Sequence, residues 1–220
     1  PFKDLLLILS LLRIFRRFKF DLIHTHCSKP SLVARLAALL SGAKGILHTF
    51  HGLGHDYNKN PFIQKIHIIL ESLLNQKSSA LVFVAEENRN RAERIGLTPV
   101  NSLKNHIIPD CLAFEKFSPG IPYPLRELCV GSVSNFKEQK QPFLLLELFK
   151  KISLLYPSAH FLVAGDGTGM VSCKKYAERL NLDHITFLGT VKNMELFYSR
   201  ITLFVSVSRF EGLSMAELEC

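Results

Sequence analysis

The chain has 220 residues, of which 47% are apolar and 21% charged, a composition that buries a core and excludes a disordered tail. A net charge of +8 favours anionic partners, whether phosphorylated small molecules, an acidic membrane surface or nucleic acid, without choosing among them. Five cysteines (Cys27, Cys111, Cys129, Cys173, Cys220) form no CxxC pair and leave one over, which argues against a disulfide framework and for a reducing, cytoplasmic setting.

The first segment, PFKDLLLILSLLRIFRRFKF, is apolar from Leu5 to Leu12 except for Ser10 and then carries Arg13, Arg16, Arg17 and Lys19. A membrane span needs about 20 apolar residues, and a secretory signal would meet small residues rather than arginines, so neither fits. An amphipathic helix packed on a sheet is the expectation, with a membrane-surface helix as the alternative. DLIHTH (21–26) reads as a strand, SLVARLAALLSG (31–42) as a helix closed by Gly42, and GILHTF (45–50) as the next strand. PFIQKIHIILESLLNQK (61–77) has apolar residues at helical spacing with Pro61 in its first turn, and SALVFVAEE (79–87) returns to strand.

From Pro109 to Pro124 four prolines and one glycine interrupt the alternation and read as a linker. The pattern then resumes: ELCVGSVS (127–134), HFLVAGDG (160–167), HITFLG (184–189) and ITLFVSVS (201–208) as strands, with helices over 141–157, 171–182 and 194–200 between them. Strands separated by helices pair in parallel through right-handed crossovers, so two successive α/β domains are expected, over residues 1–115 and 116–220.

In parallel sheets ligands bind where strands end and loops lead into helices. Four such corners stand out: HTHCSKPS (24–31), HTFHGLGHDYN (48–58), GDGTG (165–169) and SRFEGLS (208–214). His24, His26, His48, His51 and His55, with Cys27, lack the closely paired spacing of zinc ligands, so a metal site is not expected. His24 and His48, inside strand-like runs, are expected to be satisfied histidines near the core, whereas His51 before Gly52 is best placed as a hydrogen-bonding group in a polar cleft. GDGTG has GxGxG rather than GxGxxG spacing and carries Asp166; a tight turn explains it as well as a phosphate loop does.

The fourth corner is the most informative. Amides of Gly212 to Met215, at a helix opening near Ser214, would face an anion. Glu219 would follow Glu211 by roughly 10 Å of rise if residues 213–219 are helical. That separation suits two carboxylates gripping hydroxyls at opposite ends of one elongated ligand better than an acid and base acting on one bond. Both could equally be ordinary solvated glutamates, and Lys137 and Lys140 solvated loop lysines rather than diphosphate ligands. Dispersed basic residues and the lack of an aromatic stacking platform disfavour nucleic acid.

VGSVSNFKEQKQPFLLLELF, HFLVAGDG, ITFLG and FEGLSMAELE resemble the second domain of retaining GT-B glycosyltransferases of family 4. DLIHTHCSKPSLVARLAALLSGAKGILHTFHG and LVFVAEENRNR resemble that family's acceptor-side domain, in the branch that builds bacterial surface polysaccharides and lipopolysaccharide. The resemblance implies an α/β fold of two Rossmann-like, doubly wound domains, the first lacking its initial strand and the second its C-terminal part. It implies transfer of a sugar, with retention, from a nucleotide-diphosphate sugar to a saccharide or lipid-linked acceptor, without metal or other cofactor. Peripheral contact with an anionic membrane at the cytoplasmic face would accompany it. Residue by residue, Glu211 would hold donor-sugar hydroxyls and His51 would sit by that sugar at the reaction centre. Gly212 and Leu213 would offer amides to the diphosphate, Lys140 would neutralise it, and Glu219 would bind the ribose. Asn135 occupies a donor-phosphate position usually filled by arginine, and Cys111 and Ala113 replace the usual glycine and aspartate of the linker. A nucleotide-sugar epimerase of the same fold and a non-catalytic nucleotide-sugar-binding remnant are the alternatives.

Overall fold

A computed structural model describes residues 2–27, 29–54, 60–112 and 127–220, without the side chains of Phe2 and Lys29. The expected boundary at 115/116, most of the proline-rich linker, His55 and Ala113 lie outside the described residues. The chain divides into two compact units, residues 1–110 with 211–213, and residues 111–210 with 214–220.

In the first unit, β1 (Leu22–His26), β2 (Gly45–Phe50), β3 (Ala80–Phe83) and β4 (Asn105–Ile107) form a parallel sheet in that order. Helices α2 (Lys29–Ser41), α3 (Pro61–Lys77) and α4 (Glu86–Arg94) make the crossovers. The inner strands β2 and β3 are buried on both faces under the helices, β3 with apolar side chains throughout and β2 with His48 and Thr49 among them. Phe50 stacks on Phe83 at 4.9 Å between centroids, and with Leu53, Leu81, Ala92 and Leu97 they form the main core. Asn60 caps α3 by accepting the N–H groups of Phe62 and Ile63, next to Pro61 at the first turn.

The expected strand over 79–87 ends at Phe83. Glu86 and Glu87 instead open α4, where acidic side chains favour the positive end of the helix. Neither α4 nor the three-residue β4 is visible in the hydrophobic pattern: apart from Ala92, α4 is entirely polar. The first segment is a helix, α1 (Phe2–Phe18), that packs mainly along α2 and touches the sheet through Phe15. Phe15 reaches the Ile23, Ala38 and Ile46 cluster, while Leu5, Leu6, Leu7 and Leu9 remain exposed. No helix among the described residues is long and apolar enough to cross a membrane.

Beneath α2 and α3 lies a buried polar network. Arg35, with no exposed surface, donates from Nη2 to Glu71 Oε1 (3.0 Å) and from Nη1 to Asn75 Oδ1. Asn75 in turn donates to the Leu97 carbonyl (2.9 Å). Glu71 Oε1 also lies 3.8 Å from Nε2 of buried His48, and Oε2 lies 3.7 Å from Nε2 of His67. Nδ1 of His48 is 3.0 Å from both Thr25 Oγ1 and Ser31 Oγ. Burial pushes Arg35 down to about 10 and Glu71 up to about 7, each toward its neutral form, against their mutual attraction.

In the second unit the sheet order is β7 (Ile185–Gly189), β6 (His160–Ala164), β5 (Cys129–Val133), β8 (Leu203–Phe204), all parallel. The strands alternate with α5 (Pro142–Leu155), α6 (Met170–Arg179) and α7 (Met194–Tyr198), and α8 (Met215–Glu219) follows β8. Phe149 of α5 stacks on Phe161 of β6, inside a core with Val130, Leu145, Leu146, Val163 and Cys173. The expected strand over 201–208 is reduced to two residues, because as an edge strand it pairs with β5 only at Val130 and Gly131. From β5 the chain proceeds outward to β6 and β7, then crosses back to place β8 on the other side of β5. That reversal makes the carboxyl ends of β5 and β8 a topological switch point, the place where doubly wound sheets bind ligands.

Arg35→Met leaves the Glu71 carboxylate buried without its cation and is expected to cost about 3–5 kcal/mol, whereas Arg35→Met with Glu71→Leu recovers most of that loss. Urea midpoints check this; a single variant no less stable than the double contradicts it. A second test concerns acid. Burial, then the Arg35 charge, pushes His48 down to about 2, so below its ordinary value of 6.5 the unfolded chain takes up a proton that the folded chain refuses. Stability attributable to His48 is therefore lost as pH falls below 6.5, at up to about 1.4 kcal/mol per pH unit. The urea midpoint should fall more between pH 6.5 and 5 in the native protein than in His48→Gln, and equal falls would contradict the assignment.

Candidate functional site

In the first unit the parallel strands end along one edge of the sheet, and three of them deliver polar side chains there. β1 ends at His26, β2 leads directly into His51, and the chain leaving β4 reaches Asp110. His26 Nδ1 lies 3.0 Å from His51 Nε2, with the rings 5.3 Å apart and 23° from parallel. On its other side, His51 Nδ1 faces Asp110 Oδ2 at 3.5 Å. His24 is not near the core: β1 alternates with Ile23 and Thr25 inward, which turns His24 to the exposed side. There its Nε2 meets Thr49 Oγ1 (2.8 Å), and desolvation, with the neighbouring imidazoles His26 and His51, lowers its pKa. His48 is buried, as expected. Among the described residues no group of three or more His, Cys, Asp or Glu side chains is arranged to hold a metal ion.

The turn Glu211–Leu213 belongs to this first unit. A Cβ on Gly212 would stand 1.8 Å from the His51 carbonyl oxygen and 3.2 Å from a Val84 methyl, so only glycine allows this approach. Glu211 is half-buried, with Oε1 shut off from solvent.

In the second unit, the switch point is flanked by the loop after β5 and the loop after β8. They are tied together: the Arg209 N–H donates to the Gln139 carbonyl and Gln139 Nε2 donates to the Phe210 carbonyl, both at 2.8 Å. Half-buried Lys140 ends a single 3-10 turn, Glu138–Lys140, in this loop. Asn135 and Lys137 are exposed, and the Asn135 side-chain oxygen accepts the Lys137 N–H (3.2 Å), so Asn135 shapes the turn. GDGTG is a packing turn. Cβ atoms on Gly165, Gly167 and Gly169 would lie 2.0, 2.0 and 2.3 Å from the carbonyl oxygens of Ser134, Asn135 and Phe136, so its glycines answer to neighbouring backbone.

The helix at the fourth corner begins at Met215, with Ser214 extended before it, so residues 213–219 are not wholly helical and the roughly 10 Å rise expected between the glutamates does not apply. Glu219 is half-buried and accepts a hydrogen bond from the Tyr198 hydroxyl (2.9 Å). Burial and that carboxylate push the Tyr198 hydroxyl well above its ordinary range, so it remains a donor.

Of the residues singled out in the sequence, His51, Glu211, Gly212 and Leu213 fall in the first unit, and Asn135, Lys140 and Glu219 in the second. Gln139, Tyr198 and Asp110 were not anticipated. Their only sequence signal is proximity to a strand end or short helix, shared by many residues without such contacts.

Residues 1–110 match the family described as Glycosyltransferase Family 4, and residues 114–220 match Glycosyl transferases group 1. A UDP-Gal:alpha-D-GlcNAc-diphosphoundecaprenol alpha-1,3-galactosyltransferase from Escherichia coli is 29% identical over 99% of this chain and 59% of its own length. A phosphatidylinositol N-acetylglucosaminyltransferase polypeptide of Arabidopsis thaliana is 26% identical over 94% of this chain and 46% of its own. HepE from Anabaena, solved in complex with UDP, superposes with a TM-score of 0.76 at 13% identity, covering 96% of this chain and 59% of that one. The lipopolysaccharide outer core galactosyltransferase WaaB, in its apo form, gives 0.69 at 16%, covering 99% and 58%. At these identities the structural likeness is one of fold, and the chain spans less than two thirds of these relatives. The chain belongs to the GT-B glycosyltransferases, its first half to Glycosyltransferase Family 4 and its second to Glycosyl transferases group 1.

Proposed function

We propose that the protein transfers a hexose, with retention, from a nucleotide-diphosphate sugar to a saccharide or lipid-linked acceptor in cell-surface glycan synthesis. The observation that carries this reading is the turn at Glu211–Leu213, whose glycine alone permits its approach to the His51 backbone. In this reading residues 1–115 form the acceptor-side domain and residues 116–220 the donor-binding domain. Glu211 holds donor-sugar hydroxyls, and the amides of Gly212 and Leu213 receive the diphosphate. Lys140 neutralises that diphosphate, and Asn135 stands at the same phosphates with one charge fewer than an arginine would supply. Glu219, held by Tyr198, binds the ribose hydroxyls. His51 lies beside the donor sugar, and the departing phosphate takes the acceptor's proton on the same face. Fixed donors and a cation at the leaving diphosphate stabilise the charge that develops there.

The related galactosyltransferase named for a diphosphoundecaprenol substrate supports a lipid-linked acceptor. Peripheral contact with the inner face of an anionic membrane is supported by α1, whose exposed Leu5, Leu6 and Leu9 precede Arg13, Arg16, Arg17 and Lys19. A second reading, a module that binds nucleotide sugar without turnover, is favoured by Asn135 alone.

Losing charge-assisted hydrogen bonds to the donor sugar costs about 1.5–3 kcal/mol, so Glu211→Ala should lower kcat/KM for nucleotide-sugar consumption by about 10- to 100-fold. Consumption unchanged by this substitution contradicts the assignment, and binding without transfer or hydrolysis in the native protein selects the second reading.

A further inference from the structure

The His26, His51 and Asp110 cluster is not explained by donor binding alone. Two imidazole nitrogens 3.0 Å apart share one proton, so one ring must donate while the other accepts. Which ring does so is decided by what stands at the far nitrogen of His51, and that is the Asp110 carboxylate at 3.5 Å. This distance is an ion-pair contact, longer than a short hydrogen bond, and a negative charge there favours a proton on Nδ1. His51 Nε2 then carries the lone pair that accepts the His26 Nδ1 proton.

The fold places these groups for definite reasons. β1 and β2 pair in parallel with His26 opposite Thr49, so His51 extends two residues past that pair. β3 lies between β2 and β4, and the ladder continues one residue beyond β4 through the Ile108 N–H to the Phe83 carbonyl (3.0 Å). Asp110, after Pro109, therefore comes over the end of β3 to reach His51. His24 faces the cluster from β1 with its ring 4.1 Å from His26, and its Nε2 is engaged by Thr49 Oγ1 (2.8 Å). Glu211 adjoins Gly212, which lies against the His51 carbonyl. His51 and Asp110 side chains are 41% and 32% exposed, so solvent and substrate can reach the ring.

We infer that Asp110 and His26 are positioning residues for His51, together fixing it as the Nδ1-protonated tautomer with its ring held between them. The inference rests on the proposed function insofar as His51 meets the donor sugar, but its first readout does not depend on activity. Long-range nitrogen–proton NMR of the protein at pH 8, with His51 identified by loss of its signals in His51→Gln, should show Nδ1 protonated. In Asp110→Asn the amide can turn its NH2 to Nδ1, so His51 should switch to the Nε2-protonated tautomer while the other histidine signals persist as evidence of folding. His26→Leu should broaden the His51 signals between tautomers, and His26→Gln, which keeps a donor, should restore them. Transfer kcat should fall at least about tenfold in Asp110→Asn with donor KM within about twofold. The same His51 tautomer in the native protein and Asp110→Asn overturns the inference whatever the activity. A tautomer switch in a protein that consumes no nucleotide sugar overturns the proposed function and leaves the positioning assignment standing.

Discussion

A guanidinium with no access to water constrains the first unit more than any other group. Arg35 lies on α2, and its burial is tolerable only because α3 supplies Glu71 and Asn75 at the same depth. Asn75 passes the constraint to the Leu97 carbonyl, while Glu71 Oε1 approaches Nε2 of neutral His48 on β2 only to 3.8 Å, beyond hydrogen-bond distance. His48 then engages Thr25 of β1 and Ser31 of α2. α2, α3 and the turn after α4 are thereby fixed by polar contacts whose loss would strand a charge, and the His48 bonds separately hold β1, β2 and α2 in mutual register, whereas purely apolar packing would tolerate small slips.

That register matters because the candidate site occupies the strand ends just beyond the network. Thr25 precedes His26 by one residue and His48 precedes His51 by three, so the buried bonds set where the exposed imidazoles emerge. The second unit uses another device. Its switch point brings the loops after β5 and β8 together, and Gln139 bonds them through backbone and side chain. Tyr198 performs the corresponding task for Glu219. In each unit the residues given chemical roles are held by neighbours with none.

Periodicity revealed most of this architecture because long amphipathic or apolar segments such as α3, α5 and β2 dominate it. α4 was invisible since its one buried apolar side chain is Ala92, and β4 since a three-residue edge strand has too few positions to show alternation. Arg35 and Glu71 do stand out in LVARLAALL and IILESLLN as charges in apolar runs, a pattern that signals a buried pair but does not say which helices meet. Glu211, Gly212 and Glu219 were singled out by the resemblance of FEGLSMAELE to the second domain of family 4, because their spacing alone reads equally well as solvated glutamates. Asp110 and Tyr198 were not, because their roles depend on contacts across the sheet edge and between short helices, which no local pattern encodes.

In the proposed function the segment from Glu211 to Glu219 grips a nucleotide donor. Calorimetric titration of UDP, ADP and GDP into the protein tests it without an acceptor or turnover. Saturable binding of one of them at one site is expected, weakened about tenfold or more by Glu219→Ala through the loss of hydrogen bonds to a carboxylate. Absence of binding by all three, or an affinity indifferent to Glu219→Ala, would contradict it.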